Sequence, residues 1–155
     1  MKTTATALSL LVAINSGPVM AQTVCGTDTV SGHSSYVPLT SPTDVTNLLV
    51  GNTACYWAGG ATWENQEYLS GGTITDFKLG SNPKDPTGPV GNYSIASNGV
   101  ITYSYTVGNP FSYVIWGAST SGLGNYDFCN DVTGVFLPNP VTIISGGPTS
   151  CGAVP

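Results

Sequence analysis

Apolar and polar residues alternate in short runs along most of this chain, and glycine, asparagine or proline separates one run from the next. In VITYSYTV, Ile101, Tyr103, Tyr105 and Val107 fall on one face, while Thr102, Ser104 and Thr106 fall on the other. A two-residue period is that of an extended strand with one face buried and one wetted. NLLVGNTACYW, TWENQEYL, TITDFKL, VGNYSIA, FSYVIWGA, GNYDFCN, TGVFLP and VTIIS read as further strands. Ser70-Gly71-Gly72 and Ser97-Asn98-Gly99 each lie between two such runs, and both are hairpin connections. At Asn98-Gly99 both residues tolerate positive φ. YVIW is apolar on both faces, which places its strand centrally. The fold expected is all-β, an antiparallel up-and-down β-barrel or half-barrel of about eight strands. Periodicity alone does not separate a closed barrel from a two-sheet sandwich.

One stretch breaks the alternation. In SPTDVTNLL, Ser41 is placed to cap a helix, Pro42 to occupy its first position and Asp44 to complement its dipole. The expectation is a single turn leading into the barrel. SNPKDPTGP, between Lys78 and Val90, reads as a surface loop between hairpins.

The beginning of the chain follows a different pattern. Lys2 precedes an apolar run from Ala7 to Ile14, and Val19-Met20-Ala21 has the small residues of a cleavage site. This reads as a secretory signal over 1–21, too short to cross a bilayer, with the mature chain beginning at Gln22. A leader over 22–41, a barrel domain over 42–145 and a tail over 146–155 complete the expected layout. The localisation expected is secreted or periplasmic.

Charge narrows the partners. The 155 residues hold three lysines, no arginine and eight carboxylates. Without Lys2 the balance is about −6 (2 minus 8). Two lysines cannot neutralise a run of phosphates, so nucleic acid is excluded as a partner and anionic membrane surfaces are disfavoured.

All four cysteines, Cys25, Cys55, Cys129 and Cys151, follow the signal segment, and an even count in an oxidising compartment implies two disulfides. None forms a C-x-x-C motif, which argues against thiol or zinc chemistry. Three connectivities are open. The favoured one joins Cys55 to Cys129, which both end strand-like runs, and Cys25 to Cys151, which ties the tails together.

Candidate chemistry is sparse. Within a strand, Glu64 and Glu67 differ by an odd number and point to opposite faces, so they are not a glycosidase pair. If Trp63 and Leu69 face inward, Glu67 is buried and Glu64 solvated; a buried carboxylate needs a partner or a raised pKa. His33 is the lone histidine, so no histidine cluster can bind zinc, and a Ser-His-Asp triad would have to use His33 in a loop. The oxygens of Asn125 to Asp131 match no calcium-loop register. No cofactor and no metal are expected. Aromatic residues on successive strands are core material first, and also the means by which a barrel mouth holds a small ligand.

The order LLVGNTACY, WENQEYLSGGTITDFKLG, DPTGPVGNYSI, VITYSY and GNYDFC, roughly Leu48 to Asn130, resembles a group of small secreted bacterial proteins that are lipocalin-like in pattern. Their layout runs G-N-T-x-C, W-x-x-Q-E-[YF], a D-[YF]-K turn, D-P-T-x-x-V-G-x-[WY]-S-I, then Y-x-F-C. The resemblance implies a disulfide-stapled β-barrel and supports pairing Cys55 with Cys129. It implies no reaction and carries no catalytic residue across.

The function expected is a non-enzymatic barrel that binds a small apolar molecule or a glycan, with Trp63, Glu67, Tyr103, Tyr105 and Trp116 lining the site. The alternatives are a secreted protein that binds another protein, as an enzyme inhibitor or a surface or matrix subunit, and a barrel-mouth hydrolase or isomerase using Glu67 or Asp76 as base.

Overall fold

The structure, a computed structural model, describes Cys25 and residues 35–78, 86–118 and 122–155. The signal segment expected over 1–21, His33 and Lys84 lie outside the described residues. In chain order the elements are β1 (Val37–Pro38), α1 (Pro42–Leu49), β2 (Asn52–Tyr56), β3 (Asn65–Ser70), β4 (Thr73–Asp76), β5 (Gly88–Ile95), β6 (Ile101–Tyr105), β7 (Phe111–Gly117), β8 (Gly124–Asn130), β9 (Val135–Phe136) and β10 (Val141–Ser145).

Strands β2 to β8 form an antiparallel meander in which each pairs with the next. β10 then lies between β8 and β2, with Val141 opposite both Tyr56 and Tyr126. That pairing closes an eight-stranded up-and-down barrel and removes its edges. The short strands extend it locally: β1 pairs with the end of β7, and β9 pairs with the end of β8 that β10 leaves uncovered.

The two short turns form by different means. Gly71 and Gly72, both at positive φ (58° and 84°), make a two-residue loop between Ser70 and Thr73. At Ser97-Asn98-Gly99, Gly99 alone is at positive φ (81°), and its amide donates to the Ala96 carbonyl. This is a type I turn followed by a glycine bulge, so Asn98 is used differently from the expectation. Its side chain accepts a bond from the Val100 amide instead.

The helix is longer than the single turn expected. α1 spans eight residues, with Ser41 Oγ accepting from the Asp44 amide and Pro42 in the first turn. Asn47–Leu49, read from sequence as the beginning of a strand, completes it. The reason is the spacing of Val45, Leu48 and Leu49, which brings all three to one buried face. Gly51, at φ 83°, then turns the chain into β2.

That face packs into the barrel end from which β2 starts. There Val45, Leu48 and Leu49 join Leu69, Ile74, Ile101, Ile115 and Ile143 in one continuous core. The opposite end, where β2 finishes and β3 begins, is less filled.

Both disulfides differ from the favoured pairing. Cys25 bonds to Cys129 and Cys55 to Cys151, each with Cα atoms 6.0 Å apart. Cys55 and Cys129 cannot meet, because β10 lies between their strands. Two strand spacings are about 9.5 Å, beyond the roughly 7 Å that a cystine spans. Cys55 alternates with the inward-facing Ala54 and Tyr56, so it points outward and receives the tail. The Cys151 amide also donates to Gln66 Oε1, and Trp63 Nε1 donates to the Gly152 carbonyl. Cys129 receives the leader on β8, where the Cys25 amide donates to the Gly134 carbonyl. The bonds therefore clamp the two tails to the outer wall.

Candidate functional site

The open end holds a cavity of about 290 Å³, just below the roughly 300–1,000 Å³ typical of small-molecule sites. Its residues come from two opposed walls. Tyr103 and Tyr105 on β6, Phe111 and Tyr113 on β7 and Phe128 on β8 form one wall. Ala54 and Tyr56 on β2, with Glu64, Asn65 and Glu67 at and before β3, form the other. Leu137 and Val141 join the walls on the remaining side.

Inward alternation builds the aromatic wall, and the rings pack in an unbroken series. Phe111 and Tyr105 meet edge to face at 6.1 Å, and Tyr105 stacks with Tyr103 at 6.4 Å. Tyr103 meets Tyr113 edge to face at 6.1 Å, and Tyr113 tilts against Phe128 at 5.7 Å. Such pairs hold one another in fixed orientations. Tyr103 is 3% exposed, and its hydroxyl oxygen has no hydrogen-bond partner.

The facing wall carries the charge. Glu67 is 4% exposed, and its Oε1 accepts from Tyr105 Oη at 2.6 Å and from Asn65 Nδ2 at 2.9 Å. The tyrosine bond crosses the barrel from β6 to β3, tying the two walls together. Both donors converge on Oε1.

Burial pushes the Glu67 carboxyl above the ordinary carboxylate range; the two hydrogen bonds oppose this, Asp76 raises it further and Lys78 lowers it. Burial and the charge of Glu67 likewise hold the Tyr103, Tyr105 and Tyr113 hydroxyls above their usual pKa. All three are therefore protonated at neutral pH.

The expected site residues divide. Glu67, Tyr103 and Tyr105 come together on the cavity wall. Trp63 and Trp116 do not line it. Trp63 precedes β3, where strand alternation does not govern it, and its indole holds the tail. Trp116 differs in parity from the inward-facing Ile115 and packs edge to face with Phe136 at 5.7 Å.

Glu64 also departs from the expectation. It is exposed, as expected, but β3 begins one residue later, so the opposite-face argument does not apply and both glutamates line the cavity. The Glu64 amide donates to the Tyr56 carbonyl, which sets it at the mouth.

Sequence reasoning did not single out Asn65, Tyr56, Phe128 or Leu137 as site residues. Asn65 was legible, since it shares the inward parity of Glu67. Leu137 was not, because the bend after β9 that turns it inward has no periodic signal.

Asp76, directly opposite Glu67 on β4, is buried and paired with Lys78 Nζ at 3.0 Å. It is not on the cavity wall. Among the described residues no three His, Cys, Asp or Glu side chains gather to hold a metal ion, and no helix is long and apolar enough to cross a membrane. Comparison with known proteins gives no match: no family model, no curated protein and no solved structure matches the chain.

Proposed function

We propose that this protein is an exported, non-enzymatic carrier or receptor that holds a small, largely apolar ligand in the open end of its barrel. The observation that carries the reading is the lumen itself. An aromatic wall, fixed ring against ring, faces a polar wall across about 290 Å³ that the core does not fill. A concave, mostly apolar space with a few placed polar groups at the mouth of a barrel is the usual form of a small-ligand site. The two disulfides fit an oxidising compartment, and the signal-like beginning of the chain fits export.

Native mass spectrometry of the protein from its host's exported fraction tests this, together with calorimetric titration with small neutral aromatics such as indole. The expected result is a retained small mass or saturable one-to-one binding that Ala54→Phe abolishes by filling the lumen. Absence of any retained mass, with no binding across a panel of small aromatic and aliphatic molecules, would remove the reading.

A second reading, a secreted protein that binds another protein, draws on the exposed Val107, Phe111 and Val132 (87%, 44% and 85%) near the open end. Concentration-dependent assembly in sedimentation velocity would favour it.

A further inference from the structure

The cavity is chemically asymmetric, and the asymmetry bears on the charge of what enters it. A carboxylate removed from water needs a counter-charge or a full set of donors. Glu67 has two donors, both on Oε1. Lys78, two residues past the end of β4, is engaged 3.0 Å from Asp76. Among the described residues, no lysine or histidine lines the cavity. The second charged group on its wall, Glu64 at the mouth, is also an acid. The protein as a whole carries a formal charge of −5, so its field concentrates cations at such an opening.

The opposite wall presents the faces and edges of five packed rings. Aromatic faces attract cations within about 6 Å of the ring centroid, most strongly where water is excluded. Tyr103 adds a buried hydroxyl without a partner, which can accept a bond from an N–H.

We infer, building on the carrier reading, that the ligand is a small organic amine: its ammonium group pairs with Oε2 of Glu67, the oxygen that Tyr105 and Asn65 do not use, and its apolar body lies against Tyr103, Tyr105, Tyr113 and Phe128. Each element of the site matches one part of such a molecule. An ammonium supplies a positive charge within the cavity, where the described residues place none. Glu64 draws the cation to the mouth, and the ring series takes the hydrocarbon portion. A cavity of about 290 Å³ limits the ligand to a monoamine with one ring or a short chain. Fatty acids and other anions are disfavoured by the same two carboxylates.

The pair has a defined pH dependence. Glu67 must be ionised to pair, and burial raises its carboxyl while Asp76 raises it and Lys78 lowers it. Glu64, Tyr56, Tyr103, Tyr105 and Tyr113 are the other titratable groups on the walls, and the tyrosines do not ionise below neutral pH. Amine affinity therefore falls on acidification, as Glu67 takes up a proton.

The test compares phenethylamine with 2-phenylethanol, a neutral molecule of nearly the same shape, by calorimetry on the intact oxidised protein. At pH 7.5 the amine is expected to bind at least about tenfold more tightly, and its advantage is expected to shrink between pH 7.5 and 5 while the alcohol's affinity stays level. In Glu67→Gln the two affinities should converge. The wild-type comparison needs no variant, so the test stands even where Glu67→Gln fails to fold. Equal or tighter binding of the alcohol overturns the amine assignment and leaves the carrier reading intact. If neither probe binds, nor any neutral aromatic, both fall together.

Discussion

Glu67 concentrates the conflict between folding and site-building in one side chain. Burial raises its carboxyl above the ordinary range, so the folded state holds that proton more tightly than the unfolded chain does. The resulting stability is fully present below the unfolded carboxyl's pKa, about 4.3, and is lost as pH rises through the higher folded value. Glu67→Gln keeps an oxygen for Tyr105 and Asn65 but cannot titrate. Relative to that variant, the wild type should lose stability steadily from pH 4 towards neutrality, as read from urea midpoints; a constant difference would show that Glu67 titrates normally. Its inward position was legible, because it shares parity with Leu69 on a strand long enough for alternation to hold. The same argument failed for Trp63 and Glu64, which lie just before β3, where the backbone is no longer pleated.

At the level of elements, close approach and end-capping decide more than composition does. A Cβ on Gly91 would lie 2.8 Å from Tyr105 Cα and collide with the Ser104 carbonyl, on the strand paired with β5. Backbone cannot swing aside, so Gly91→Ala is expected to cost about 1–3 kcal/mol. Gly88→Ala, on the same strand with nothing within 4 Å, should change stability far less. Equal losses in chemical denaturation would show that backbone freedom, and not space, sets the requirement.

The helix bears a heavier load than its length implies. Leu49 is 1% exposed in the plugged end of the barrel, and Leu49→Ala is expected to cost about 2–5 kcal/mol. A loss below about 1 kcal/mol would mean that the end closes without α1. Cap and proline signals located this helix in the sequence. Its second turn was obscured because Asn47–Leu49 adjoins Val50 and a true strand in one apolar run.

For the whole molecule, the strand count and antiparallel order were readable, since each hairpin leaves a local turn signal. Closure was not, because the β10–β2 pairing joins residues distant in sequence and leaves no periodicity of its own. The disulfide pattern follows from that pairing. With β10 inserted between β2 and β8, Cys55 and Cys129 are separated and each turns outward to a tail. Non-reducing peptide mapping should recover Cys25 with Cys129 and Cys55 with Cys151, and a fragment linking Cys55 to Cys129 would contradict this barrel order. The linked residues lie 104 and 96 positions apart. Replacing Cys55 and Cys151 together by serine is therefore expected to cost about 4–5 kcal/mol in the chain-entropy account, measured by guanidinium unfolding.

The same two bonds set how the protein would respond to mechanical tension. Force applied at the chain ends enters at Cys25 and Cys151 and passes through sulfur to Cys129 on β8 and to Cys55 on β2, the strands on either side of β10. Only the 22 positions from Cys129 to Cys151 (151 minus 129) can be drawn out, an extension of about 75 Å at most. With both bonds reduced, the 126 positions from Cys25 to Cys151 (151 minus 25) would pay out about 430 Å. The oxidised molecule is thus a short tether whose load falls on the pairings of β10 with β2 and β8, and the cavity walls stay together for as long as those two ladders hold.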